Sequence, residues 1–287
     1  MNNISKNQGL KAFVFLITLC SLVGCQPTNL IPSSSAVTKM QREQLGDAMK
    51  EIILSDTANF DILPKDHPMY QSTYAYIQQL YNQAHFFMRD DWAAPADDKW
   101  NTSRSWEVFI IESEEKNAFC LPGGAFFVTT NLLKTLDLEY ELYYVMSFEA
   151  VLMHERHILN TLIPYANNTA ELLEIIENGV SSSNTTIEDL TDNFIESVNY
   201  EDGNIVQLVD EKTHHRICES SLFDRLAILS LLVKLDQSDK WLTTRPSYGN
   251  RSAYVQNEIN MSNSSDCGTI KWINNQTDYN NFVAYLP

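Results

Sequence analysis

The chain has 287 residues, with 20 Lys and Arg against 37 Asp and Glu, a formal charge of −17 at neutral pH. So large an acidic excess argues against a nucleic-acid-binding face and leaves no basic patch to hold a membrane surface. At 44% hydrophobic and 11% aromatic residues, the chain can bury a substantial core, and its length permits one or two domains.

Residues 1–24 read as an export signal. Lys6 and Lys11 precede an apolar run from Ala12 to Val23 that is too short to span a bilayer as a mature helix. The run ends in Leu22-Val23-Gly24-Cys25, which resembles the lipobox cut by the bacterial lipoprotein signal peptidase. That resemblance implies cleavage before Cys25, acylation of Cys25 and attachment to a membrane of the cell envelope through lipid. The alternative is an ordinary signal peptide with a chance cysteine. Gln26 follows rather than Asp, so in a host with two membranes the expected address is the outer membrane, facing the periplasm. Residues 25–38 are rich in Pro and Ser and read as the lipidated tether. Three cysteines then remain, Cys120, Cys218 and Cys267. An exported compartment permits one disulfide among them, and spacing does not choose the pair. Cys120, in an apolar strand context, reads as a plain buried residue.

Periodicity predicts a helix over Lys39–Leu54, with Met40, Leu45, Met49, Ile52 and Ile53 as its apolar side, and another over Tyr70–Met88, with Tyr74, Ile77, Leu80, Tyr81 and Phe87. His67 and His85 have no partner at ligand spacing and read as surface or packing residues. Asp90–Arg104 is turn-rich. Trp106–Glu112, Asn117–Leu121 and Ala125–Thr130 read as strands of a small antiparallel sheet, the last two joined through Pro122-Gly123-Gly124. Glu139–Leu159 contains neither Gly nor Pro, and Leu142, Val145, Met146, Glu149, Leu152, Met153 and Arg156 fall on one side of a long helix. Thr169–Asn178 is a short helix closed by Gly179. Ser181–Asn204 is polar and acidic, with a short helix at Ile187–Val198, and reads as a surface insertion or lid. A helix over Glu211–Leu235 becomes strongly apolar from Leu222, so that half is expected to be buried. Residues 261–287 read as a polar, Asn-rich extension. The expected architecture is a mainly helical α+β domain over residues 39–260, with the sheet beside the central helix.

Asn117-Ala118-Phe119, Pro122-Gly123-Gly124, Leu132-Leu133, Glu141-Leu142 and Arg156-His157 stand in an order and spacing that resembles the zinc metallopeptidase family of HtpX and the CAAX prenyl endopeptidases. The resemblance covers roughly residues 40–260 and is strongest at 106–157. It implies a cleft beside the sheet that holds an extended polypeptide, with Asn117, Phe119, Pro122, Gly123 and Gly124 along it. It also places Phe148-Glu149-Ala150-Val151-Leu152 where the family carries HExxH. In that motif two imidazoles four residues apart share a helix face and grip one zinc, and the Glu works on its bound water. Phe148 and Leu152 have no lone pair to donate. They make instead an apolar pair, each side chain worth about 1.5–3 kcal/mol when buried. Glu149 is the one catalytic position retained. The third ligand of the family falls on Ser220, four before Asp224, with Glu219 turned about 100° away. Arg245, in Thr244-Arg245-Pro246, replaces an accessory His, while Arg251 matches the Arg that the family carries five or six residues on. The resemblance with these replacements implies a pseudopeptidase with no cofactor, acting on a polypeptide partner by binding.

Two other readings stay open. In His154-Glu155-Arg156-His157 the histidines point about 120° and 180° away from position 148, so they do not inherit its face. His214, His215, Cys218 and Glu219 form two i,i+4 pairs whose donors suit zinc or copper. A zinc metalloendopeptidase with these displaced ligands and Glu149 as base is the enzymatic alternative. The other is a structural lipoprotein with a collapsed cleft, its function carried by residues 180–204.

Overall fold

In the computed structural model, which describes residues 34–88, 106–197, 203–220, 227–236, 251–261 and 276–287, every residue from Glu141 to Met153 is buried. The sequence EYELYYVMSFEAVLMH has apolar side chains on all sides, and such a helix is stable only when surrounded. The expected one-sided stripe is therefore corrected to a helix buried around its whole circumference. It is reached through a 3-10 turn at Ser34–Ala36, helices α1 (Lys39–Ser55) and α2 (Gln71–Met88), strands β1 (Val108–Ile111), β2 (Ala118–Cys120) and β3 (Phe126–Thr129), and the short α3 (Thr130–Thr135). The central helix is α4 (Glu139–His154), followed by α5 (His157–Tyr165), α6 (Thr169–Asn178), α7 (Ile187–Ser197), α8 (Gly203–Ser220), α9 (Ala227–Asp236), α10 (Arg251–Met261) and α11 (Gln276–Ala284). Helices α2, α8 and α9, with β2, surround α4. The result is a mainly helical α+β fold with a small sheet.

Local capping chemistry sets several helix ends, and Gly179 acts as the sequence predicts. Thr38 caps α1 with Gln41 returning to the Thr38 backbone N–H, a reciprocal capping box. Asn168 caps α6, and Gly179 closes it with φ at +81°. On α1, Leu45, Met49 and Ile53 are buried, but Met40 is exposed and Arg42 lies inside.

The sheet is mixed rather than antiparallel. Its order is β1-β3-β2, with β2 and β3 an antiparallel hairpin and β1 parallel to β3. The cause is the short connection from β1 to β2, which crosses the end of β3 and is held there by hydroxyls. Thr130 Oγ1 donates to the Ser113 carbonyl and accepts from its N–H, each at 3.2 Å, while the Asn117 N–H donates to Thr129 Oγ1 at 2.9 Å. The outer edge of β1 is occupied as well. The Leu63 N–H donates to the Ile110 carbonyl, the Ile110 N–H donates to Tyr74 Oη at 3.1 Å, and the Val108 N–H donates to Gln78 Oε1 at 3.1 Å.

The structure refines the expectations further along the chain. The helix expected over Glu139–Leu159 breaks at Arg156, whose φ of +63° starts a new helix. A left-handed non-glycine residue costs about 1–2 kcal/mol. Here the Arg156 guanidinium offsets that cost by donating to the Ser34 carbonyl at 2.5 Å and the Val37 carbonyl at 3.4 Å, pinning the start of the fold. The 181–204 stretch is not merely a surface insertion, because α7 buries Leu190 and Phe194 and sits against α1 and α5. Within the polar extension expected over residues 261–287, residues 276–287 are described and carry a helix. Tyr279 and Phe282 of α11 are buried against α2, and Tyr279 Oη donates to the Leu133 and Leu136 carbonyls. The helix expected from Glu211 begins at Gly203, and residues 221–226 lie outside the described residues.

Helix α1 packs closely against the Pro122-Gly123-Gly124 turn. A Cβ built on Gly46 would stand 1.3 Å from the Pro122 carbonyl oxygen. Helix propensity alone would make Gly46→Ala stabilising by about 1 kcal/mol. We expect the reverse, a net loss of about 2 kcal/mol or more in denaturant unfolding, since the backbone of the turn must move.

Candidate functional site

Tyr144, Phe148 and Leu152 follow one another at steps of four and so occupy one stripe of the central helix. Phe148 is 1% exposed and Leu152 fully buried. Beside the stripe lies Asp210 of α8, itself 1% exposed. Its carboxylate accepts from Tyr144 Oη at 2.9 Å and from Arg251 Nε and Nη2, each at 2.8 Å. The Arg251 Cζ stands 5.5 Å from the centroid of the Phe148 ring, within cation–π range. Along this stripe the chain has an aromatic ring, an aliphatic side chain and a two-pronged ion pair. Glu149, also buried, lies about 100° around the helix.

The residues expected along a peptide cleft are brought together by the β2–β3 hairpin, but they are covered. Gly123 and Gly124 have φ of +97° and +101°, as the turn signal predicts. A Cβ on Gly124 would run into the Trp106 ring. The Phe119 ring stacks on Phe127 at 5.0 Å and meets Phe194 of α7 edge-on at 6.2 Å. Ala118 and Cys120 are fully buried, and Tyr81 Oη closes the end of the hairpin by donating to the Gly124 carbonyl at 3.0 Å. Burial pushes the Cys120 thiol up to about 12, so it is an inert core group. Asn117 is half-buried, its backbone paired with Thr129.

The alternative cluster on α8 is not assembled. His214 and Cys218 are buried, whereas the side chains of His215 and Glu219 are 69% and 50% exposed and pair with each other at 3.2 Å. Neighbouring helix positions lie about 100° apart, so the two i,i+4 pairs face different surroundings. Cys218 is moreover disulfide-bonded, its partner lying outside the described residues. Among the described residues no three His, Cys, Asp or Glu side chains converge to hold a metal. The Ser220 side chain and residues Cys25, Asp224, Arg245 and Cys267 lie outside the described residues.

The two histidines near the helix break have packing roles. His154 lies 4.9 Å from His85 and 5.5 Å from Trp106, centroid to centroid. His157 begins α5 close to a charge cluster in which Glu155 binds Lys212 at 2.5 Å and Arg216 at 3.5 Å. Burial holds the His157 imidazole below its ordinary value, opposed by Glu155 and reinforced by Lys212.

Periodicity had marked no role for Asp210. Its signal is visible afterwards. Val206, Val209, Thr213 and Ile217 form a buried stripe at helical spacing, and Asp210 stands within it. A carboxylate in such a stripe needs a buried partner, which Arg251 supplies.

The model of peptidase family M48 matches residues 90–211, and an M48 peptidase-like domain is present there. No curated protein matches the chain. That family is typically zinc-dependent; Phe148 and Leu152 offer the metal no donor, since neither a phenyl ring nor an isobutyl group coordinates zinc.

A pH dependence follows from His157. The unfolded chain protonates this residue near pH 6.5, and the folded chain does so only at lower pH. The unfolded state thus binds more protons in that window, and stability falls as pH drops below about 6.5. His157→Gln is expected to flatten the decline between about pH 6.5 and 5.5 in denaturant titrations.

Proposed function

We propose that the chain is a non-catalytic protein built on the M48 peptidase scaffold, tethered through Cys25 to the bacterial cell envelope, and acting by holding a polypeptide. In a host with two membranes it faces the periplasm from the outer one. The observation that carries this reading is the pair Phe148 and Leu152. Both are buried at the positions where zinc-binding imidazoles would stand, and both are incapable of ligation. Glu149 then has no metal-bound water to act on, and hydrolysis lacks its Lewis acid. Purified protein dialysed without chelator is expected to carry far less than one zinc per chain and to leave an unfolded protein substrate uncut. Near-stoichiometric zinc, with chelator-sensitive cleavage abolished by Glu149→Gln, would overturn the reading in favour of displaced ligands.

The covered hairpin supports a second reading, a structural lipoprotein whose cleft is permanently closed. The two differ at Phe194, which lies over Phe119. If the strand beneath accepts an extended polypeptide when α7 moves, Phe194→Ala should bind a labelled unfolded protein at least about ten-fold more tightly than the parent chain. The structural reading expects no binding by either protein and only a stability loss of about 3 kcal/mol or more.

A further inference from the structure

We propose that the outward side of α5 is the surface this protein lays against the membrane that anchors it, its partner there being the phospholipid headgroup layer. The inference rests on the lipid-tethered reading above and adds an orientation to it. The point where the chain enters the fold is fixed. Arg156, which caps the start of α5, donates to the carbonyls of Ser34 and Val37, and the 3-10 turn at Ser34–Ala36 packs on α5. From Cys25 to Ser34 the chain advances nine residues, which at full extension span about 30 Å. A globule of this length is about 45 Å across. An anchor at Cys25 is out of reach of the far side of the fold, so the side carrying Ser34 is held towards the bilayer.

Charge selects among the elements on that side. Helix α7, which packs on α1 and α5, presents Glu188, Asp189, Asp192 and Glu196 to solvent. Four carboxylates brought within a Debye length of anionic headgroups are repelled. Helix α5 presents Asn160 and Pro164, with Thr161 and Tyr165 partly exposed. From Arg156 to Ala170 the chain has no Asp or Glu, an uncharged window in a sequence with 37 of them. A tyrosine, apolar in body and polar at its tip, suits the boundary between headgroups and water. Met40, 65% exposed on the first turn of α1, adds an apolar side chain three residues past the Val37 carbonyl. A bilayer met through α5 rather than α7 also leaves α7, the cover of β2, unclamped.

The test uses the full-length acylated protein in vesicles of phosphatidylcholine and phosphatidylglycerol that carry a nitroxide on a fraction of their headgroups. A fluorophore is placed on one added cysteine at a time: Asn160→Cys or Pro164→Cys on α5, Asp192→Cys on α7, or Gln79→Cys, exposed on α2. Cys120 is buried and Cys218 disulfide-bonded, so the added thiol takes the label, and the parent chain gives the background. Quenching at the α5 sites is expected to exceed that at the α2 and α7 sites at least about two-fold, since the far side of a globule this size stands beyond the reach of the quencher. Equal quenching at all sites, or the strongest at Gln79→Cys or Asp192→Cys, would overturn the inference. A full-length protein that carries no acyl chain at Cys25 and does not float with vesicles would instead sink the lipid-tethered reading, so the two failures are distinguishable.

Discussion

The carboxylate of Glu141 is fully buried, and four donors converge on it: the backbone N–H groups of Asp137 and Leu138 at 2.8 and 3.2 Å, the Ser230 hydroxyl at 2.7 Å and the Lys234 ammonium at 2.5 Å. A helix that is apolar on every side has no solvent face to set its rotation, so its polar positions must do so. Glu141 does this at the first turn, where a carboxylate also meets the positive end of the helix dipole. Through Ser230 and Lys234 it also ties the central helix to α9. Breaking such a buried pair from one side costs about 3–5 kcal/mol, a large fraction of a domain's total stability. Glu139 adds a second constraint, accepting from Tyr76 Oη of α2 at 2.6 Å. With both fixed, Tyr144, Phe148 and Leu152 take their place beside α8 and α10.

The sheet is small and leaves little edge for another chain to use. On the β1 side, backbone of the 61–63 segment and side chains of α2 take the outward donors and acceptors. On the β2 side, α4 and α7 cover the strand. Exposed edges recruit partners, in the wrong place as readily as the right one. Here access to β2 depends on α7, a helix held by contacts rather than by a covalent link. That makes α7 the element on which a polypeptide-binding role and a purely structural role diverge.

A metal at the heart of a helical fold does two jobs, chemistry and cross-linking. In this chain side chains make such cross-links between helices. Asp210 and Arg251 join α8 to α10, Tyr144 brings in the central helix, and the Phe148 and Leu152 side chains fill the space between. The M48-like scaffold is therefore held by packing and a buried ion pair.

Local chemistry made much of this legible in the chain itself. Helical periodicity marked α1, α2 and α6, the Pro122-Gly123-Gly124 turn marked the hairpin, and Gly179 marked a helix end, because each depends on residues a few positions apart. That positions 148 and 152 offer no metal donor was equally plain, since no fold gives phenylalanine or leucine a lone pair. Tertiary structure alone decided the rest. The parallel pairing of β1 depends on where a connection crosses, and the break at Arg156 on carbonyls more than a hundred residues away. The His214–Glu219 cluster came apart because burial of one side of α8 separates neighbours that sequence spacing had grouped. Asp210 and Arg251 found each other across 41 positions. Spacing along a chain constrains which residues share a helix face, but which faces meet is settled by the burial of the whole core.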